Sequence, residues 1–315
     1  MVTEPRIFRL GFLVLLFCLG SPGVGSCQGI DDTLTAEGRA LLKGSHMTPV
    51  TVPLLQQQAD NGDGKAQFLM GWIYFIGDPV PKDHGKAIQW MTKAANQNVP
   101  FAQTQLGLMY LSEPDVPGNY DFARELLLQG AARNEPDALN GLGVIYSKGL
   151  GVPVNADDAI KYFRQAADAG FAGAQYNLGY MYETGKLVPQ DSKAAVKWLR
   201  LASDQDDPRA AYLLGVMFRD GHGVPQDYSE AFRLFQKGAE QYRFAGSQQN
   251  LGAMYYLGKG VPENLVMAYM WISLAADQGF ELSKKTLPAV AEKMTPQQIT
   301  EAKQKAEDWT KAHQN

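Results

Sequence analysis

Valine followed by proline recurs six times along the chain, at Val80-Pro81, Val116-Pro117, Val152-Pro153, Val188-Pro189, Val224-Pro225 and Val261-Pro262, with spacings of 36, 36, 36, 36 and 37 residues. A period of this length marks an array in which each small unit buries its apolar face only against its neighbours. The chain is thereby limited to a stack of supersecondary units. Such stacks offer long binding surfaces more readily than one catalytic pocket.

Lining up the chain on the period starts the units at Ala66, Ala102, Ala138, Ala174 and Ala210, and at Ser247 after one inserted residue near Gln241 to Gly246. Apolar residues such as Ala102, Leu106, Met109 and Tyr110 fall on one face of an α-helix, and Ala174, Leu178, Met181, Tyr182 and Ala210, Leu214, Met217, Phe218 repeat the stripe. A glycine follows the leucine in every unit, at Gly71, Gly107, Gly143, Gly179, Gly215 and Gly252. Mid-helix glycine costs about 1 kcal/mol relative to alanine, so its recurrence predicts a close helix approach. Glycine pairs such as Gly149 and Gly151, Gly221 and Gly223, or Gly258 and Gly260 then end the helix.

A second helix is predicted to start after Asp83, Asn119, Asn155, Asp191, Asp227 and Asn264, whose side chains can cap free backbone N–H groups. Within it Ala87, Ala123, Ala159, Ala195, Ala231 and Ala268 are each followed three residues on by a large side chain: Trp90, Leu126, Tyr162, Trp198, Leu234 and Trp271. Asn98, Asn134, Gly170 and Gly279 suit a left-handed exit. Pro53 to Asp60 reads as a lone second helix preceded by a short helix near Ala36 to Leu42, and Ser112 to Asp115 replaces the glycine turn of the second unit. At the other end Thr295, Pro296 and Gln298 form a helix start, and Ile299, Ala302, Ala306 and Trp309 give that helix an apolar stripe over the last unit.

The patterns Ala-x-x-x-Leu-Gly-x-x-Tyr, Gly-x-Gly-Val, the capping Asp, Ala-x-x-Trp and the Ala-Ala-x-x-Gly ending resemble the Sel-1-like repeat, a relative of the tetratricopeptide repeat, from Ala66 to Phe280. Ala268-Tyr269-Met270-Trp271 with Met294-Thr295-Pro296 is similar to bacterial members. The resemblance implies an all-α fold: a right-handed α-solenoid of six helix-turn-helix repeats of 36 residues with terminal capping helices. The organisation expected is a signal peptide at 1–26, an N-terminal linker and capping helices at 27–65, repeats at 66–281 and C-terminal capping helices at 282–315. Members of such a family bind proteins or organise complexes.

Arg6 and Arg9 precede the apolar run Leu10 to Leu19, and Val24-Gly25-Ser26 offers small residues for cleavage, the pattern of a secretory signal. Ten apolar residues are too few to span a bilayer, which needs about 20. Export to the periplasm or the medium is the expectation. Cleavage leaves Cys27 as the one remaining cysteine, so no internal disulfide can form, and it moves the formal net charge from −4 to −5. Val-Gly-Ser-Cys also matches a lipobox, so a lipid anchor at Cys27, which would make the chain an outer-membrane lipoprotein assisting envelope assembly or export, stands as an alternative to plain cleavage. The mildly acidic balance, with no basic cluster, argues against nucleic acid or an anionic membrane as partner.

His46, His84, His222 and His313 lack the spacing that sets two ligands on one helical face, so no metal is expected, and there is no GxxxxGK[ST] or GxSxG to suggest a cofactor or a nucleophilic serine. The chain therefore reads as a scaffold and not an enzyme. A penicillin-binding or hydrolase activity would be the rival, and the cysteine framework of the branch linked to it is missing. By the resemblance, the first helices line a concave groove, with the third, seventh and tenth residues of each unit facing it. The seventh reads as inter-helix packing and the third and tenth as recognition. Asn140, Tyr176, Tyr180, Glu183, Tyr212 and Arg219 combine aromatic and polar groups and are the candidate contacts for a protein or peptide partner. Phe68, Trp72, Phe75 and Leu108 make a greasier face, expected to be covered by the N-terminal helices.

Overall fold

The computed structural model describes residues 51–112 and 119–313. The signal segment, Cys27, the short helix near Ala36 to Leu42 and the turn of the second repeat beyond Ser112 lie outside the described residues. Among those described, fifteen helices and no strands occur. They are α1 (Thr51–Asp60), α2 (Gly64–Ile76), α3 (His84–Asn96), α4 (Pro100–Ser112), α5 (Tyr120–Ala132), α6 (Pro136–Lys148), α7 (Ala156–Asp168), α8 (Ala172–Thr184), α9 (Ser192–Asp204), α10 (Pro208–Asp220), α11 (Tyr228–Glu240), α12 (Ala245–Leu257), α13 (Leu265–Asp277), α14 (Glu281–Ala291) and α15 (Pro296–Ala312). The fold is all-α, and the helices pair two to a repeat.

The chain divides into two compact units, one ending at Ala174 and one beginning at Gln175. In the first, α1 to α7 pack in sequence, and α4 also meets α6. In the second, α9 to α14 pack in sequence and α15 lies on α13.

Local chemistry sets these elements. The side chains of Asp83, Asn119, Asn155, Asp191, Asp227 and Asn264 all accept hydrogen bonds from backbone N–H groups of the second helices they start. First helices end on left-handed glycines at Gly77, Gly149, Gly221 and Gly258. Thr295 and Gln298 form a reciprocal capping box on α15, with Pro296 in its first turn.

The recurring glycines are points of helix contact. A Cβ on Gly179 would lie 2.5 Å from Leu199 Cγ, one on Gly143 2.5 Å from the Phe163 ring and one on Gly215 2.8 Å from the Phe235 ring. The partner in every repeat is the residue after the large side chain singled out in the sequence: Met91, Leu127, Phe163, Leu199, Phe235 and Ile272. These six are almost wholly buried. Trp90, Leu126, Leu234 and Trp271 are buried beside them, but Tyr162 and Trp198 are partly open, so the knob that seats on glycine is one residue later than the small-plus-large pairing suggests.

A hydrogen-bond ladder joins the helices within repeats. Gln67, Gln103, Gln175 and Gln248, one residue after the unit start, each accept from a side chain thirty residues on: Gln97, Arg133, Gln205 and Gln278, at 2.8, 3.0, 2.8 and 2.7 Å.

Candidate functional site

Caps and turns aim the first-helix side chains. Asp207 accepts from the N–H groups of Arg209 and Ala210 to start α10, with Pro208 in its first turn, and Gly221 at φ 75° stops it. Gly185 at φ 66° follows α8 in the same way.

At the third position in the second unit, side chains reach across to the start of the next first helix. The Arg209 guanidinium lies 4.3 Å from the centre of the Tyr176 ring and is paired with the Asp207 carboxylate at 2.6 Å. Burial pushes the Tyr176 hydroxyl pKa up. Burial works against the charge on Arg209, but the hydrogen bonds it donates to Asp207, together with the charge of that carboxylate, outweigh it and the pKa rises. Tyr212 packs on Phe235 and Phe244 at 6.1 and 5.4 Å between ring centres. Gln249 is buried and accepts from the Ser283 hydroxyl at 2.5 Å.

The seventh position is the more open. Tyr180 stacks on Tyr176 at 6.1 Å and is 37% exposed. Lys186 Nζ lies 3.5 Å from its hydroxyl. Val216 and Ala253 at the equivalent sites are half-buried. The third row is thus the more buried of the two, although the seventh was expected to do the inter-helix packing: Phe68, Thr104 and Gln249 are only 4%, 1% and 5% exposed.

At the tenth position Glu183 sets one carboxylate oxygen 3.3 Å from His222 Nδ1, in the turn after α10. Its other oxygen is buried without a hydrogen-bond partner. Arg219 pairs with Asp220 at 2.7 Å and donates to Asn250 Oδ1 at 2.5 Å. The hydrogen bond to Asp220 raises the Arg219 pKa and holds the Asp220 carboxyl below its usual range. Tyr176, Tyr180 and Glu183 therefore form successive turns of one helix face, and Tyr212 and Arg219 belong to the next first helix.

Asn140 lies in the first unit, half-buried on α6. Nearby in that unit Thr104 donates to Glu135, which also pairs with Arg133 at 2.7 Å. Burial, helped by the Glu135 charge, raises the pKa of Asp137 to about 7. Phe68 and Trp72 are buried in one cluster with Leu55 and Ala59 of α1, and Phe75 packs against it, as expected for the greasier face; Leu108 instead packs against the cluster of Leu127 and Leu142.

Sequence reasoning missed Arg209, His222, Lys186 and Asn250, which complete the face around the tyrosines. For Arg209 and Asn250 the signal was a spacing of one period less a few residues, from Tyr176 and from Arg219, whereas His222 lies a little more than a period after Glu183 and Lys186 six residues after Tyr180.

The model of the Sel1 repeat family matches six times, at residues 64–99, 100–135, 136–171, 172–207, 208–242 and 245–280. Among solved structures the chain is similar to a Sel1 repeat protein from Oxalobacter formigenes, with 28% identity and a TM-score of 0.66 over 89% of this chain and 86% of that one. It is also similar to a protective antigen present in uropathogenic Escherichia coli strains that displays an SLR fold, with 30% identity and a TM-score of 0.65 over 82% of this chain; the match spans 56% of that protein. Curated protein sequences gave no match.

Proposed function

The chain belongs to the Sel1 repeat family, a family of protein-interaction scaffolds, and from that premise we propose that it holds a protein or peptide partner on the first-helix face of its second unit, centred on Tyr180. One observation carries the reading: the exposed aromatic ring of Tyr180 lies one turn from a carboxylate oxygen of Glu183 that is buried and unpartnered. A buried acceptor without a donor is costly, and a backbone or side-chain N–H of a bound segment would satisfy it. Tyrosine adds a large contact area with a polar tip, the type of side chain enriched at interface hot spots. Tyr176 stacks on that ring and is itself held by Arg209, and Tyr212 packs on Phe235 and Phe244 in the next repeat.

Proximity crosslinking in the native cell, followed by mass spectrometry, identifies the partner. Tyr180→Ala and Glu183→Gln should each keep helical content and melting behaviour while reducing recovery of that partner at least about tenfold, the effect of a hot-spot residue. Undiminished recovery from both folded variants would move recognition to the second helices or the termini.

Export places this scaffold in the periplasm or outside the cell. Support comes from the arginine-flanked apolar run and the small residues before Cys27. N-terminal analysis of the mature protein decides it: a chain starting near Cys27 is expected, with a lipid-sized mass increase indicating an anchor and an intact Met1 excluding export.

A further inference from the structure

The joint between the fifth and sixth repeats differs from every other in the chain. Elsewhere three residues connect a second helix to the next first helix, as 97–99, 133–135, 169–171 and 205–207 do; here there are four, 241–244. In the regular joints the last connecting residue returns its N–H to a carbonyl five residues back: Val99 to Ala94, Glu135 to Gly130, Phe171 to Ala166, Asp207 to Ala202 and Phe280 to Ala275. Phe244 must reach six residues back, to Gly238. The residue before it takes a left-handed conformation in every joint, and is Asn98, Asn134, Gly170, Asp206 and Gly279 in the others but Arg243, at φ 53°, in this one. Long side chains rarely occupy that region unless surrounding contacts hold them there.

The inserted residue also breaks the polar pairing inside the joint. Gln67 and Gln103 donate their side-chain amides to Ala59 O and Ala95 O at the end of the preceding second helix, at 3.0 and 3.4 Å. Gln248, their equivalent, is fully buried and its amide nitrogen has no partner. Beside it Ser247 stands where the other five repeats have alanine; it is also fully buried, its hydroxyl has no partner, and it fits only because Gly238 opposite leaves room. Two unsatisfied buried groups on successive residues weaken this interface from within.

What holds it lies outside the joint. Arg243 donates to the backbone carbonyl of His313 at 3.1 Å and sets its guanidinium 5.7 Å from the centre of the Trp309 ring. Trp309 stacks on His313 and meets Trp271 of α13 edge-on at 5.4 Å. The end of α15 therefore bridges the sixth repeat to the turn in front of it. On the opposite side the bond from Arg219 to Asn250 crosses the same joint.

We propose that α15 is a strap across the joint between the fifth and sixth repeats, and that its release opens this joint ahead of all others in the second unit. The strap acts through Arg243, whose strained backbone persists while Trp309 and His313 hold its side chain. Opening would slide α12 relative to α10 and break the Arg219–Asn250 bond.

Native-state hydrogen exchange on the full chain tests this. Trp309→Ala should speed exchange of the α12 and α13 amides by about tenfold or more while leaving α9 and α10 near their original rates, the pattern of a local opening. Arg243→Gly, which relieves the backbone but removes the strap contact, guards against a variant that merely folds poorly and should give the same localised effect. Adding Ser247→Ala and Gln248→Leu to either variant should restore slow exchange, because the joint then no longer buries unpaired groups; Gln278, left without its acceptor, is exposed to water. Uniform acceleration across the second unit, or unchanged exchange in α12 with both strap variants, would overturn the proposal.

Discussion

Phe68 and Trp72 occupy the same two positions in the first repeat as Tyr176 and Tyr180 in the fourth, yet the first pair is buried and the second is half-buried and exposed. The helices carrying them follow the same pattern of core stripe, glycine contact and terminal glycine. The difference is the neighbour: α1 lays Leu55 and Ala59 into the cluster that holds Phe68 and Trp72. In the fourth repeat the two rings stack on each other, with Arg209 over the third-position ring and Lys186 beside the seventh. Side-chain chemistry matches each setting, since Phe and Trp in the first repeat bury apolar area while tyrosine keeps a polar end for water or a partner. A repeat position therefore has no fixed role as core or surface; the adjacent element assigns it.

The sharpest way to break this comparison is to truncate both faces. Trp72→Ala should cost about 3 to 5 kcal/mol, the range for a large buried aromatic, read as a lowered urea midpoint. If Trp72→Ala proved mild, α1 would not be a true cover. Next in size is Gly179→Leu, expected to cost about 1 to 3 kcal/mol because Leu199 must retreat from a Cβ only 2.5 Å away. The matching Gly71→Leu change meets Met91 Cγ at 2.8 Å and backbone atoms of Ala87 and Met91 at 3.1 Å, and should fall in the same range.

A smaller effect depends on pH. Asp137 has its pKa raised from 3.8 to about 7, so between those values the folded chain keeps a proton that the unfolded chain has lost. Its contribution to stability is fully present below pH 4 and is lost as pH rises through 7. Asp137→Asn should match the parent near pH 4 and exceed it at pH 8 by about 1 kcal/mol, allowing for the partial exposure of the side chain. Equal stability at both pH values would show that the carboxyl titrates normally. The smallest change belongs to Tyr180→Ala, within about 0.5 kcal/mol of the parent as for other open surface sites. A larger loss would mean that Tyr180 packs as Trp72 does and is no recognition residue.

The caps were legible because they depend on one side chain and the backbone beside it: all six aspartates and asparagines expected to start second helices do so. The glycine contacts were legible because mid-helix glycine has few other uses. The residue that seats on each glycine was not singled out, since adjacent helix positions point about 100° apart and both Trp90 and Met91 are apolar. On the candidate face the third row is the more buried where the seventh was expected to pack, for the same reason: helix periodicity gives a face, but which row touches the next repeat depends on the angle between helices. Arg209 and His222 come from other repeats and carry no local pattern that ties them to Tyr176 and Glu183.

The period, the helix boundaries and the all-α stack were determined by the sequence alone, because caps, terminal glycines and apolar stripes act within one or two helical turns and repeat often enough to confirm one another. Only the tertiary structure decided which aromatic rings are covered, which acidic oxygen is left without a donor and what a single inserted residue does near Arg243. Those outcomes depend on side chains about thirty or more residues apart meeting in space, as Arg243 meets His313 across 70 positions, and no local preference encodes such a meeting.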